Sequence, residues 1–290
     1  MAVQTSKLLA IASERTIRCS GILWNWSERI ADCCKHLTFK LVNDELKLRR
    51  AFFCHVRLCP LCTARKSLIW FARAAKAFEF LPQGVRFLFL TLTLKNCSIF
   101  ELKKTNSYLS ASYQRFIRSL RFKLDDNFLG HIRSYECTSK SDLMEAHPHL
   151  HCLIAVRDRY FEDTYLGIKE WQYLWKRSLQ IDYDPVIWIK AVNSDRKAFL
   201  EILKYELKPA DYINSWRWLG EYGLQINRFR KYDTGGIFRE AFASLNDNPH
   251  DMIRYSEDED EEDNDYICDR NDRNFQFSWN KELNTYILRR

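Results

Sequence analysis

Pro148-His149-Leu150-His151-Cys152-Leu153-Ile154-Ala155-Val156 is the stretch on which the reading of this chain turns. It is an apolar run that ends in Ile154 and Val156, and two histidines stand two apart at its start. In a strand, side chains i and i+2 share a face, so both imidazoles aim at one point. Such a pair suits a divalent cation, with a core or hydrogen-bonded role as the plain alternative. The preceding strand, Ile132-Arg133-Ser134-Tyr135-Glu136-Cys137, is expected to pair with it as a hairpin. Glu136 then completes a three-ligand site for Mn²⁺ or Mg²⁺, and the mixed nitrogen and oxygen set suits Mn²⁺ slightly better. His147 is also near, but Pro148 separates it from the strand.

Working outward, Val85 to Lys95 alternates, with Phe87, Phe89, Thr91 and Thr93 on one face and leucines on the other. Residues 100–124 keep a helical period through Leu109, Tyr113, Phe116, Ile117, Leu120 and Leu124. Residues 162–180 read as a second helix, marked by Leu166, Trp171, Leu174 and Trp175, and Val186 to Val192 is β-rich. The order from 85 to 192 is β-α-β-β-α-β, which predicts an α+β fold with an antiparallel split βαβ sheet, ferredoxin-like or RNA-recognition-motif-like. That topology puts the first and third strands side by side. Ser194 offers an N-cap for a helix that Pro209 stops after Lys208. On it Glu201, Tyr205 and Lys208 share a face, an amphipathic surface helix by default. Beside a cation, Tyr205 is a candidate nucleophile, because a phenol of ordinary pKa about 10 needs a nearby positive charge to ionise. Glu201 is a candidate general base for water, and Lys204 or Lys208 a candidate phosphate contact.

The first eighty residues read as helices around a cysteine cluster, with Ala64 to Phe80 one such helix. Cys54, Cys59 and Cys62 form C-x4-C-x2-C, and Cys33 or Cys34 supplies a fourth thiolate, with His55 as a substitute. Four soft ligands at this spacing favour a structural tetrahedral Zn²⁺. A redox pair is the rival, without a thioredoxin-like context around it.

Composition bounds the rest. A chain of 290 residues can hold one sizeable core and a smaller module. No apolar run reaches membrane-spanning length, no signal-peptide core is present, and ten cysteines in a cytosolic chain are expected to be reduced or metal-bound. Residues 257–290 hold 11 Asp/Glu against 5 Lys/Arg, so the body carries most of the basic excess behind the net +7. A basic body with an acidic tail fits a polyanion-binding protein. The expected organisation is a zinc-binding helical module over 1–82, a catalytic domain over 83–215, an extension over 216–250, and an acidic, partly disordered tail over 251–290.

Taken together, these residues resemble the plasmid rolling-circle replication initiators, a branch of the HUH endonucleases named for a His-hydrophobic-His motif. Here that motif is His149-Leu150-His151. Phe89-Leu90-Thr91-Leu92-Thr93 is similar to the family's first motif and Glu201-Ile202-Leu203-Lys204-Tyr205 to its third. The cysteine block, Trp171-x3-Trp175, Asp182-Tyr183-x-Pro185 and Gly235-Gly236-x-Phe238 follow in the family's order, from about Cys33 to Leu245. The family often has Asn where His147 stands. The resemblance implies a bacterial cytoplasmic enzyme that nicks one strand at its plasmid origin through a 5′-phosphotyrosine on Tyr205, with Glu201 directing water to end the cycle. It implies Mn²⁺ or Mg²⁺ at His149, His151 and Glu136, structural Zn²⁺ at the cysteines, and origin DNA, presented as a hairpin or single strand, with host replication proteins as partners. An HUH transposase or relaxase, and a non-catalytic zinc-stabilised DNA-binding protein, are the competing expectations.

Overall fold

The computed structural model describes residues 2–15, 20–42, 45–139, 144–192, 215–245, 274–280, 282–283 and 285–289. In chain order these form α1 (Ala2–Arg15), α2 (Ser20–Asp32), β1 (His36–Val42), β2 (Glu45–Ala51), α3 (Pro60–Ala77), β3 (Val85–Thr93), β4 (Cys97–Ser98), α4 (Leu102–Leu124), β5 (Phe128–Thr138) and β6 (Glu145–Arg157). Then come α5 (Tyr160–Asp163), α6 (Ile168–Leu179), β7 (Ile187–Val192), α7 (Trp216–Gln225), β8 (Tyr232–Gly236), α8 (Ile237–Ala243), β9 (Asn274–Asn280) and β10 (Thr285–Arg289). The chain is thus α+β, with antiparallel sheets.

Two compact units part between Ile69 and Trp70, inside α3, where the sequence reading sets its boundary at residue 82. The reason is packing: Ala74 and Ala75 of α3 are buried with Phe87, Phe89, Ile132, Leu153, Ala155 and Phe238 in the core of the second unit.

The first unit joins the N-terminal residues to the C-terminal hairpin. Its four-stranded sheet has the order β10-β9-β1-β2. The expectation of a purely helical module is therefore corrected: a sheet stands beside α1 and α2. The terminal segment, expected to belong to an acidic tail, supplies half of that sheet. Leu37 pairs with Phe277 and Phe39 with Phe275. The Phe39 and Phe277 rings meet edge to face at 5.5 Å, and the Trp279 amide donates to the Lys35 carbonyl. The acidic run at 257–265 lies outside the described residues.

The second unit is built on a sheet of order β7-β3-β6-β5-β8. β3 and β6, the first and third strands of the expected series, are neighbours along the whole of β3, from Val85 opposite Arg157 to Thr93 opposite His149. α4 and α6 cover one face. There Phe116 meets Trp175 edge to face at 5.5 Å, and Tyr113 meets His131 of β5 in the same way. The second half of α3 and α8 cover part of the other face, where Phe87 stacks on Phe238. The single helix expected over 162–180 is two, α5 and α6. They part before Gly167, whose amide is capped by the Glu170 carboxylate at 3.0 Å.

Two of the sequence blocks tie α6 and the segment after it to the end of β3. The Trp175 indole donates to the Thr93 carbonyl at 2.8 Å, and the Lys95 amide donates to the Tyr183 hydroxyl at 3.1 Å. A third block answers a steric need. Gly235 lies opposite His131 and Gly236 opposite Gly130. A Cβ at Gly235 would sit 2.4 Å from the His131 ring, and one at Gly236 (φ +60°) would sit 2.1 Å from the Leu129 carbonyl oxygen. Only glycine lets β8 lie this close to β5.

Candidate metal centres

Glu136, His149 and His151 converge on the sheet face that α4 and α6 leave uncovered. Direct pairing of Glu136 with His149, and of Ser134 with His151, puts all four side chains on that face. The Glu136 Oε2 lies 2.9 Å from His149 Nε2 and 2.6 Å from His151 Nε2, and all three residues are buried. Around them, Thr91 Oγ1 is 3.2 Å from His151 Nδ1, and the Phe89 ring lies parallel to that of His151 at 5.7 Å. Burial works against the charged form of Glu136, but hydrogen bonds from His149 and His151 prevail and hold its carboxyl well below the usual carboxylate range.

This donor set fits a cation. His149 Nδ1 is 3.1 Å from the His147 carbonyl, which can only accept, so that nitrogen carries the proton. In the neutral ring, Nε2 then presents a lone pair to a carboxylate oxygen at 2.9 Å. Two acceptors face to face need a positive charge, supplied by a proton on the ring or by a metal between them. Neighbouring ligands of an octahedral cation with bonds of about 2.1 Å stand about 3 Å apart, close to the spacings here. Among the described residues this group holds no fourth His, Cys, Asp or Glu. His147 turns instead to Asn96, with Nδ1 2.6 Å from Oδ1.

Cys33, Cys54, Cys59 and Cys62 form the second group, their sulfurs all within 4.8 Å of one another. The Cys33–Cys62 and Cys54–Cys62 separations are 3.6 and 3.7 Å. A tetrahedral thiolate site with metal–sulfur bonds of about 2.3 Å has edges of about 3.8 Å, so the cluster could hold zinc. The choice between Cys33 and Cys34 falls to Cys33. Cys34 takes a left-handed backbone (φ 55°), donates its amide to the Phe52 carbonyl, and accepts from the Tyr286 hydroxyl through its own carbonyl at 2.6 Å. His55 is not in the group. Pro60 opens α3 at the first helical position, where its missing N–H removes nothing, and one helical turn holds Cys59 and Cys62 together. The Arg29 guanidinium donates to the Cys54 carbonyl at 2.5 Å, and buried Arg65 lies 4.3 Å over the Phe53 ring.

Tyr205, Glu201, Lys204 and Lys208 lie outside the described residues. One residue that sequence reasoning passed over stands beside the triad. Trp188 pairs with Thr91, which pairs with His151, so all three share a face at one level of the sheet. Its indole is half exposed and meets Phe89 edge to face at 5.5 Å. An outward tryptophan in a strand otherwise read only as β-rich was the available signal.

Comparison with known proteins defines the class: residues 45–287 match a family described as replication protein. The chain belongs to this family, in line with its resemblance to plasmid replication initiators. The match extends through β9 and most of β10, past Leu245. Among the relatives is "Protein rep" of Streptococcus pneumoniae serotype 2 (strain D39 / NCTC 7466), 34% identical over 271 residues, covering 88% of this chain and 84% of that protein. Another is "Protein rep" of Lactiplantibacillus plantarum, 36% identical over 231 residues, covering 74% and 71% respectively. A third, from Bacillus amyloliquefaciens, is 32% identical over 270 residues and covers 81% and 78%. No solved structure matches the chain.

Proposed function

We propose that this chain initiates rolling-circle replication of a plasmid by nicking one strand of the origin, as an HUH endonuclease with a tyrosine nucleophile. The observation that carries the reading is the buried Glu136–His149–His151 group on the sheet face opposite α4 and α6, in a chain of a replication-protein family. The strand order β7-β3-β6-β5 supports the split βαβ core, with residues 83–215 as the endonuclease and 216–250 as its extension. In this reading Glu136, His149 and His151 hold Mn²⁺ or Mg²⁺. When bound, the ion polarises the scissile phosphate and favours an ionised phenol nearby.

Tyr205 is proposed as the nucleophile. Its phenolic oxygen forms a bond to phosphorus, the bond to the 3′ oxygen breaks, and the products are a 5′-phosphotyrosine and a free 3′-OH that primes synthesis. Glu201 directs the water that ends the cycle, and Lys204 and Lys208 contact phosphate. The described residues on either side of this segment bracket the triad along β6. β7 ends at Val192 opposite Phe87, a residue that faces Ala155 of β6. After the segment, the Trp218 indole of α7 donates to the Glu145 carbonyl at 2.9 Å. His149 and His151 lie between Glu145 and Ala155 along β6.

The four cysteines are proposed to hold structural Zn²⁺. The partners are origin DNA, exposed as a hairpin or single strand, and host replication proteins in the bacterial cytoplasm. No helix among the described residues is long and apolar enough to cross a membrane.

The test uses an origin hairpin oligonucleotide labelled at its 3′ end. A covalent protein–DNA adduct is expected with Mn²⁺ and is expected to vanish in Tyr205→Phe. Binding with no adduct under either metal would make the chain a DNA-binding protein without chemistry. In Glu201→Ala, nicking is expected to persist while hydrolytic release falls, so adduct accumulates. If first nicking fails as badly there as in Tyr205→Phe, the division of roles is wrong.

A further inference from the structure

α4 and α6 present an unbalanced surface to solvent. α4 carries six Lys/Arg and no Asp/Glu, and α6 carries three Lys/Arg and a single acid, Glu170. That acid is taken by Lys123 at 3.2 Å, and Lys176 is taken by Asp184 at 2.7 Å. Arg118, Lys169 and Arg177 make no ion pair among the described residues. All three line a groove of about 620 Å³ between the helices, together with Phe122, Lys123 and Tyr173.

The aromatic residues set this groove apart from an ordinary solvated face. Phe122 is 91% exposed and Tyr173 61% exposed, although both helices bury ample aromatic surface on their inner sides. Single exposed aromatics are common, but two that line one basic groove form a platform. Cations track a phosphate backbone while aromatic faces stack on bases, and that combination recognises single-stranded nucleic acid without reading its sequence. A duplex would satisfy the cations but keeps its bases stacked internally, leaving the two rings without a partner.

The groove is separate from the triad. α4 packs on the sheet face that carries His131 and Arg133, and Glu136, His149 and His151 point from the opposite face.

We propose that the α4–α6 groove is a second binding site for single-stranded DNA, engaging phosphates through Arg118, Lys169 and Arg177 and bases through Phe122 and Tyr173. The proposal rests on the reading of the chain as a DNA-handling replication protein. Its occupant is a strand other than the one held at the triad.

The test measures binding of full-length protein to a labelled oligothymidylate of about 20 nucleotides, longer than one domain's footprint, without Mn²⁺ or Mg²⁺. Combining Phe122→Ala with Tyr173→Ala is expected to weaken binding at least ~10-fold, and Phe122→Trp with Tyr173→Phe to restore it. Arg118→Ala with Arg177→Ala is expected to weaken binding and to lower the slope of log affinity against log salt by about 1.4. All these side chains are exposed, so melting temperature and the adduct yield on a minimal nick-site oligonucleotide should stay at wild-type values. Unchanged affinity in both pairs overturns the proposal. Loss in the arginine pair alone overturns it too, because the surface then serves a duplex or an acidic protein. Should wild type form no adduct while the variants still lose oligothymidylate binding, the nickase reading fails and this one stands.

Discussion

The Oε2 of Glu136 lies 2.6 Å from Nε2 of His151 and 2.9 Å from Nε2 of His149, so one carboxylate oxygen joins both rings. Glu136→Gln keeps the shape and removes the charge. Loss of an outer-shell partner weakens metal affinity 10–100-fold, and loss of a direct ligand should exceed about 100-fold. Calorimetric titration with Mn²⁺ measures it. Equal affinity in variant and wild type would remove Glu136 from the ligand set.

The cysteine group makes a prediction about order of unfolding. Its four sulfurs join the residue after α2, the segment after β2 and the start of α3. Zinc chelation is therefore expected to speed amide exchange in β1 and β9 before β3 and β6. Cys59→Ser should lower bound zinc in metal analysis and weaken the same strands. Simultaneous loss of protection in both sheets would contradict two compact units.

How much of this was legible in sequence follows from the range of each interaction. β3, β6 and α4 announce themselves because a buried face repeats every two or 3.6 residues within one segment. Glu136 could be paired with the histidines because a hairpin keeps partners near in sequence. β1 was missed because Lys40, Lys47, Arg49 and Arg50 dilute the pattern of its hairpin, and its other partner, β9, lies more than 230 residues away. No local period encodes the pairing of Leu37 with Phe277. The choice of Cys33 over Cys34 rests on the left-handed turn at Cys34, a backbone feature that two adjacent cysteines do not reveal. The role of Gly235-Gly236 was likewise hidden, since it depends on what β5 places beside them.

That close approach gives a stability prediction. Gly236→Ala puts a methyl on the Leu129 carbonyl and forces a side chain into a positive-φ backbone. It is expected to destabilise the chain by about 2 kcal/mol or more, read as a lower urea midpoint. An unchanged midpoint would mean that β8 can move away from β5 freely.

His131 predicts a pH dependence. Burial, the largest influence, lowers its pKa from 6.5 to about 4, although Asp233 pulls the other way. The unfolded chain therefore binds more protons than the folded one between these values. The stability linked to a neutral His131 is full above pH 6.5 and is lost as pH falls towards about 4, amounting to roughly 3 kcal/mol. Denaturant titrations of wild type and His131→Gln across this window check the sign. The variant should show a shallower fall, and parallel curves would assign the dependence to other groups.

Trp188 carries the last prediction. It sits level with His151, its indole half exposed and braced edge-on by Phe89, itself parallel to the His151 ring. A base next to the scissile phosphate could stack on this surface, an interaction worth about 1–3 kcal/mol. Trp188→Ala is therefore expected to raise KM for a nick-site oligonucleotide about 5- to 150-fold and to leave kcat within a few-fold, since stacking on a base acts on substrate binding. Trp188→Phe should recover most of the loss, because a smaller ring still stacks. A fall in kcat with constant KM would show that the indole holds Phe89 and His151 in place rather than the substrate. In that case Trp188→Phe should also restore Mn²⁺ affinity lost in Trp188→Ala, and metal titration of the two variants separates the roles.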